Sequence, residues 1–111
     1  MNVHKELGKG FLEAVYKDAL QYEFEKEGIP FEREKGHKIE YKGKVLEHKY
    51  FADFVVYDKI ILEVKATAGI IENNLKQTLN YLAVSKVKLA LIVNFGENSL
   101  KYKRYFFNYF N

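Results

Sequence analysis

Cysteine is absent from the 111 residues, so disulfides, thiolate zinc sites, iron–sulfur clusters and cysteine nucleophiles are all excluded. Any metal has to be held by oxygen or by His4, His37 and His48. Those histidines fall in no ligand spacing and are expected to be surface or hydrogen-bonded residues. Long apolar runs are also missing: nothing approaches the roughly 18 residues that a membrane span needs, and no cleavable leader pattern is seen. The chain is therefore expected to be soluble and cytoplasmic, with no membrane partner. Repeats, linkers and low-complexity segments are lacking too, and the length suits one core rather than two. A single domain over residues 1–111 is expected, with one site.

What is present in excess is positive charge. The formal net charge is +3, which leans toward a polyanionic partner, and its distribution is more telling than its total. Lysines recur at 35, 38, 42, 44 and 49 with only Glu40 and Glu47 between them. The tail carries Lys101, Lys103 and Arg104 with no acid. Lys42, Lys44, Lys101, Lys103 and Arg104 are candidate nucleic-acid contacts; the alternative is the solvated side of a hairpin and an edge strand, where lysine discourages edge-to-edge association. Lys9, between Gly8 and Gly10 ahead of a helix, is a further candidate phosphate contact or part of a plain turn.

Apolar residues at Leu12, Val15, Tyr16, Ala19 and Leu20 predict an amphipathic helix over residues 11–27, ended by Gly28-Ile29-Pro30. Short β-like runs follow at 34–41, 45–57 with a break, 60–65 and 88–94, with turns at Tyr41-Lys42-Gly43-Lys44 and Tyr57-Asp58-Lys59. A second helix is expected between the last two runs, with Ile71, Leu75, Leu79 and Leu82 on one stripe. Crossing through it makes the flanking strands parallel. The apolar run before Asn94 predicts a strand covered on both faces, and Leu100 to Phe107 a last edge strand. The order is helix, three antiparallel strands, helix, strand, giving an α/β domain with a mixed central sheet flanked by helices.

The chemistry concentrates in residues 52–65. Acids stand inside two adjacent strands, at Asp53 and Glu63, and Glu63 shares a sheet face with Lys65. Asp53 joins them only if the intervening turn is odd. A two-residue loop pairs Asp53 with Val64, whereas a three-residue loop at Tyr57-Asp58-Lys59 pairs it with Glu63. Two adjacent carboxylates repel unless one is protonated or a cation bridges them, and oxygen-only ligands suit Mg²⁺ or Mn²⁺. Lys65 beside that ion orients or activates water and offsets charge on a phosphate. The plain alternative is a solvated strand with Asp53 near its end. The aromatic tail, Tyr105-Phe106-Phe107 with Tyr109 and Phe110, suits base stacking, a homodimer contact, or packing on the chain's own core.

Gly10-Phe11-Leu12-Glu13-Ala14-Val15-Tyr16, Ala52-Asp53, Glu63-Val64-Lys65, Gln77 with Leu79-Asn80-Tyr81-Leu82, and Asn94-Phe95-Gly96 occur in an order that resembles the GxxExxY proteins, a branch of the PD-(D/E)XK nuclease-like superfamily. The resemblance spans nearly the whole chain. It implies a restriction-endonuclease-like αβββαβ core and metal-dependent hydrolysis of phosphodiester bonds in DNA. It also implies Asp53, Glu63 and Glu13 as metal ligands, Lys65 as the catalytic lysine, and Gln77 as a contributor from the second helix. Phe51 stands where members often carry a basic residue. Glu13 has a structural alternative: with Gly10 as cap it closes a capping box, four residues before Lys17. The functional alternative from another class is a nucleic-acid-binding or protein-interaction module that keeps the fold without turnover.

Overall fold

The computed structural model describes residues 3–69, 76, 78–80, 82, 87 and 89–106. Two helices come first, α1 (Val3–Leu7) and α2 (Glu13–Glu27). Seven strands follow: β1 (Phe31–His37), β2 (Glu40–Tyr41), β3 (Lys44–Val45), β4 (Tyr50–Val56), β5 (Ile60–Lys65), β6 (Leu89–Asn94) and β7 (Lys101–Phe106). Residues 76, 78–80 and 82, between β5 and β6, are helical. One sheet runs in the order β1-β4-β5-β6-β7, with β5 and β6 parallel and the other neighbours antiparallel. This is the mixed sheet expected from the element order, with β7 as its edge.

Helix α2 docks on one sheet face through Tyr16, Leu20 and Phe24, four residues apart, which pack with Phe54, Leu62, Val64 and Phe95. Each such burial contributes about 1.5–3 kcal/mol relative to exposure. Leu12 and Val15, expected on that face, are instead 78% and 36% exposed. Leu12 is the N-cap and lies outside the helix, and Val15 projects from its flank. Glu13 is thus the first helical residue, not the third, and no side-chain cap forms. The helix ends where Gly28 turns left-handed at φ 69, with the Ile29 N–H donating to Phe24 O at 2.9 Å.

The opposite face carries a second core of Tyr50, Ala52, Val55, Ile61, Leu82 and Ala90. Leu82, expected on the buried stripe of this helical segment, is buried there, and Thr78 four residues before it is buried too, while Leu79 of the same expected stripe is 39% exposed. Ile71, Leu75 and Gln77 lie outside the described residues. Strand β6 is fully buried on this side and half-buried on the α2 side, so its apolar run reflects partial cover on the second face. The turn at Lys42-Gly43 forms as expected, both residues having positive φ. It closes a separate ribbon of β2 and β3, however, because the Leu46 N–H donates to Ile39 O at 2.8 Å and Ile39 packs on the second core.

Candidate active site

The turn between β4 and β5 has three residues, since Val56 pairs with Ile60. Tyr57 and Asp58 both adopt left-handed backbone, at φ 56 and 57. Continuing that register brings Asp53 level with Glu63. The ladder itself stops one pair earlier, at Phe54 and Leu62, although both strands run on. Here the strands fork. Asp53 Oδ2 accepts the Val64 N–H at 2.7 Å, in place of the backbone carbonyl that residue 52 offers in an unbroken ladder.

β4 also changes face at this point. Phe54 and Val56 belong to the α2 core, whereas Ala52 and Tyr50 belong to the opposite one with Val55, which regular alternation forbids. Across on β1, Glu34 sits at φ 56, a left-handed conformation that costs a glutamate of the order of 1 kcal/mol. The distortion aims the Asp53 carboxylate into the fork. A cleft of about 250 Å³ opens there, lined by Lys49, Tyr50, Phe51, Asp53, Glu63, Lys65 and Thr78.

Glu63 is only 7% exposed, and burial pushes its carboxyl up to about 7 against the opposing charges of Lys65 and Lys17 and a hydrogen bond from the Asp53 backbone. Its Oε1 has no hydrogen-bond partner among the described residues. A buried acceptor left this way is costly as an anion and is suited to a hard cation. Among the described residues no three His, Asp or Glu side chains gather around a common point, so an ion here would take Asp53, Glu63 and further oxygens from water or phosphate. That donor set fits Mg²⁺ or Mn²⁺.

Lys65 ends β5 and is held by the segment after β6. The Phe95 N–H donates to Lys65 O at 2.9 Å. Asn94, fully buried, accepts the Thr67 and Gly96 N–H groups at 3.1 and 3.0 Å and donates to Thr67 O at 3.0 Å. Gly96 passes so close that an added Cβ would overlap Thr67 N and O and lie 2.6 Å from Ala66 C. Gly96→Ala is expected to lower stability by at least about 2 kcal/mol, read as a shift in the urea midpoint; an unchanged midpoint would contradict this packing. Asn94-Phe95-Gly96 therefore acts by fixing the backbone beside Lys65.

Tyr16 of the first motif is also a building residue. It is fully buried, stacks on Phe95 at 4.5 Å, donates to Gly8 O at 2.6 Å and accepts the Phe11 N–H at 3.3 Å. The Gly8-Lys9-Gly10 turn is thereby tied to the core. Glu13 is exposed and does not line the cleft. One turn further on, Lys17 Nζ donates to Asp53 Oδ1 at 3.0 Å and to Glu34 Oε1 at 2.6 Å. Burial works against that charge, but the bonds to Glu34 and Asp53 prevail and hold the ammonium above its ordinary range.

The basic candidates separate by face. Glu63 pairs with Ile92 and Ile92 with Lys103, while Lys65 pairs with Asn94 and Asn94 with Lys101. Lys101 and Lys103 thus share the sheet face of Glu63 and Lys65, two strands away. Arg104 projects from the other face, its guanidinium 5.9 Å from the Phe106 ring. Lys42 and Lys44 are exposed on the β2–β3 ribbon, and Lys9 is exposed beside a hollow with Gly96 and Lys101. His4 is buried and bonded to Glu97 O at 2.9 Å, His37 stacks on Tyr50 at 5.8 Å, and His48 is exposed. Tyr105 packs on the second core and Phe106 is 71% exposed; residues 107–111 lie outside the described residues.

An aspartate at a strand fork, with Glu-x-Lys on the neighbouring strand of a mixed sheet flanked by helices, defines a restriction-endonuclease-like domain. The chain belongs to the PD-(D/E)XK nuclease superfamily, whose family model matches residues 1–105. Among solved structures it is similar to that of SSO0001, with a TM-score of 0.67 and 17% identity over 84% of this chain, which spans 48% of that one. At that identity the likeness concerns the fold. No curated protein matches the chain. No helix among the described residues is long and apolar enough to cross a membrane.

Proposed function

We propose that the chain is a divalent-metal-dependent nuclease that hydrolyses phosphodiester bonds in DNA at the fork of β4 and β5. The observation that carries this reading is the convergence of Asp53, Glu63 and Lys65 on one cleft, with a buried Glu63 oxygen left without a partner among the described residues. A Mg²⁺ or Mn²⁺ ion held by Asp53 and Glu63 would supply Lewis acidity toward a phosphate oxygen and lower the pKa of bound water. Lys65, on the same face as Glu63 and fixed through its carbonyl, orients the attacking water and offsets the charge that grows on the phosphate. Lys101 and Lys103 extend the positive face away from the cleft and hold neighbouring phosphates. Glu13, near the start of α2 and outside the cleft lining, is a further acid that a bound substrate or ion could draw in, and Gln77 is a further proposed contributor; Lys9, Lys42, Lys44 and Arg104 are peripheral contacts.

The test is incubation of linear and nicked DNA with Mn²⁺ or with a chelator. Cleavage confined to the Mn²⁺ arm is expected, and cleavage in both arms defeats the reading. One observation favours a second reading, a DNA-binding module without turnover: both oxygens of Asp53 are already engaged by the protein's own donors. Metal-independent DNA binding without cleavage of any substrate supports that alternative.

A further inference from the structure

The Asp53 carboxylate is satisfied without any ion. Oδ2 takes the Val64 N–H, and Oδ1 takes the Lys17 ammonium, which also rests on Glu34. These two ion pairs differ in shelter: the Lys17 and Asp53 side chains are 14% and 15% exposed, whereas that of Glu34 is 50% exposed. Glu34 reaches this position from a left-handed backbone on β1, opposite the point where β4 changes face. Helix α2, β1 and β4 thus meet in one cationic contact at the edge of the fork.

We propose that Lys17 stands in for the divalent ion on Asp53, occupying Oδ1 in competition with the ion and yielding it when the ion arrives, while Glu34 keeps the ammonium. The proposal rests on the fork being the metal site. An ion on Oδ1 would lie within a few ångströms of the ammonium, where repulsion is strong because the site is sheltered from water. An ammonium has three donors, so Lys17 can keep one acceptor when it gives up another. Glu34, the closer partner at 2.6 Å and the more exposed, provides it. Lys17 therefore sets the affinity for the ion from outside the ligand set.

Local competition differs from a general charge effect, and Lys49 supplies the control: it lines the same cleft and is not a partner of Asp53. The experiment is Mn²⁺ binding to the full chain without DNA, at pH 8 and fixed ionic strength, followed by the electron paramagnetic resonance of free Mn²⁺. Lys17→Met is expected to tighten binding about tenfold, Glu34→Gln to weaken it, and Lys49→Met to change it by about twofold or less. Lys17→Gln serves as a second variant, with circular dichroism reporting the fold of each. Equal tightening in the Lys17 and Lys49 variants, or weaker binding in the Lys17 variants, would overturn the proposal. A parent protein that binds no Mn²⁺ would instead remove the metal reading itself.

Discussion

Lys65→Ala is expected to lower Mn²⁺-dependent DNA cleavage by about 10³-fold, or about 4 kcal/mol of transition-state stabilisation, with DNA affinity changed by only about threefold. The asymmetry follows from position. Lys65 is one of several lysines near the cleft, so the ground state loses one phosphate contact among many. Among these lysines it alone shares the β5 face with Glu63, so the reacting phosphate loses the ammonium assigned to it. Asp53→Ala should be at least as damaging, because it removes a proposed ligand and also the acceptor of the Val64 N–H at the fork. Cleavage rates and fluorescence anisotropy on one duplex separate the two effects. A Lys65→Ala variant that cleaves as fast as the parent would mean that the activity resides elsewhere.

The second large effect concerns stability and pH. Burial raises the Glu63 carboxyl from 4.5 to about 7, so between those values the folded chain holds a proton that the unfolded chain has lost. Its stabilising contribution is complete below pH 4.5 and disappears as pH rises through about 7, a loss of about 3 kcal/mol. The groups facing Glu63 are Lys65 on its own strand, Lys17 on α2, Asp53 on β4 and Glu34 on β1. The two ammonium groups and the Asp53 backbone N–H favour its anion and still do not offset burial. In urea unfolding without metal, the parent should therefore lose stability relative to Glu63→Gln across this interval. Mn²⁺ should restore it at pH 8 in the parent and much less in the variant. Parallel pH profiles for the two proteins would contradict the buried position of Glu63.

The features legible in the sequence were those set by short-range pattern. Counting residues in the Tyr57–Lys59 turn was enough to state the condition under which Asp53 and Glu63 become level, because the β period of two leaves only two outcomes. The parallel β5–β6 pair followed from a helix between two apolar strands. The fork was not legible. It depends on Asp53 replacing a backbone acceptor and on Glu34 accepting a strained conformation, and neither leaves a mark on hydrophobic alternation. The role of Lys17 is not legible for a related reason: its partners Glu34 and Asp53 are 17 and 36 residues away, and its helical spacing from Glu13 points only to a surface pair. Leu12 and Val15 depart from the apolar stripe of α2, and the start of the helix after Leu12 is a boundary that no capping side chain marks.

Gly10-x-x-Glu13-x-x-Tyr16 and Asn94-Phe95-Gly96 stand out in the sequence as motifs, and much of what they do is architectural. Tyr16 fastens the turn before α2 to the core, while Asn94 and Gly96 clamp the end of β5 so that Lys65 keeps its place. A local sequence pattern reports that such positions matter without separating a group that reacts from one that holds another still. Only the three-dimensional contacts make that division.

A crystal structure of the protein soaked with Mn²⁺ and recorded at the manganese absorption edge tests the central claim most directly. The proposed site predicts one anomalous peak in the fork, bonded to Asp53 and Glu63 at about 2.1–2.2 Å, with Lys17 drawn toward Glu34. Saturating Mn²⁺ that leaves the fork without a peak, or that binds only at other surface carboxylates, would contradict it.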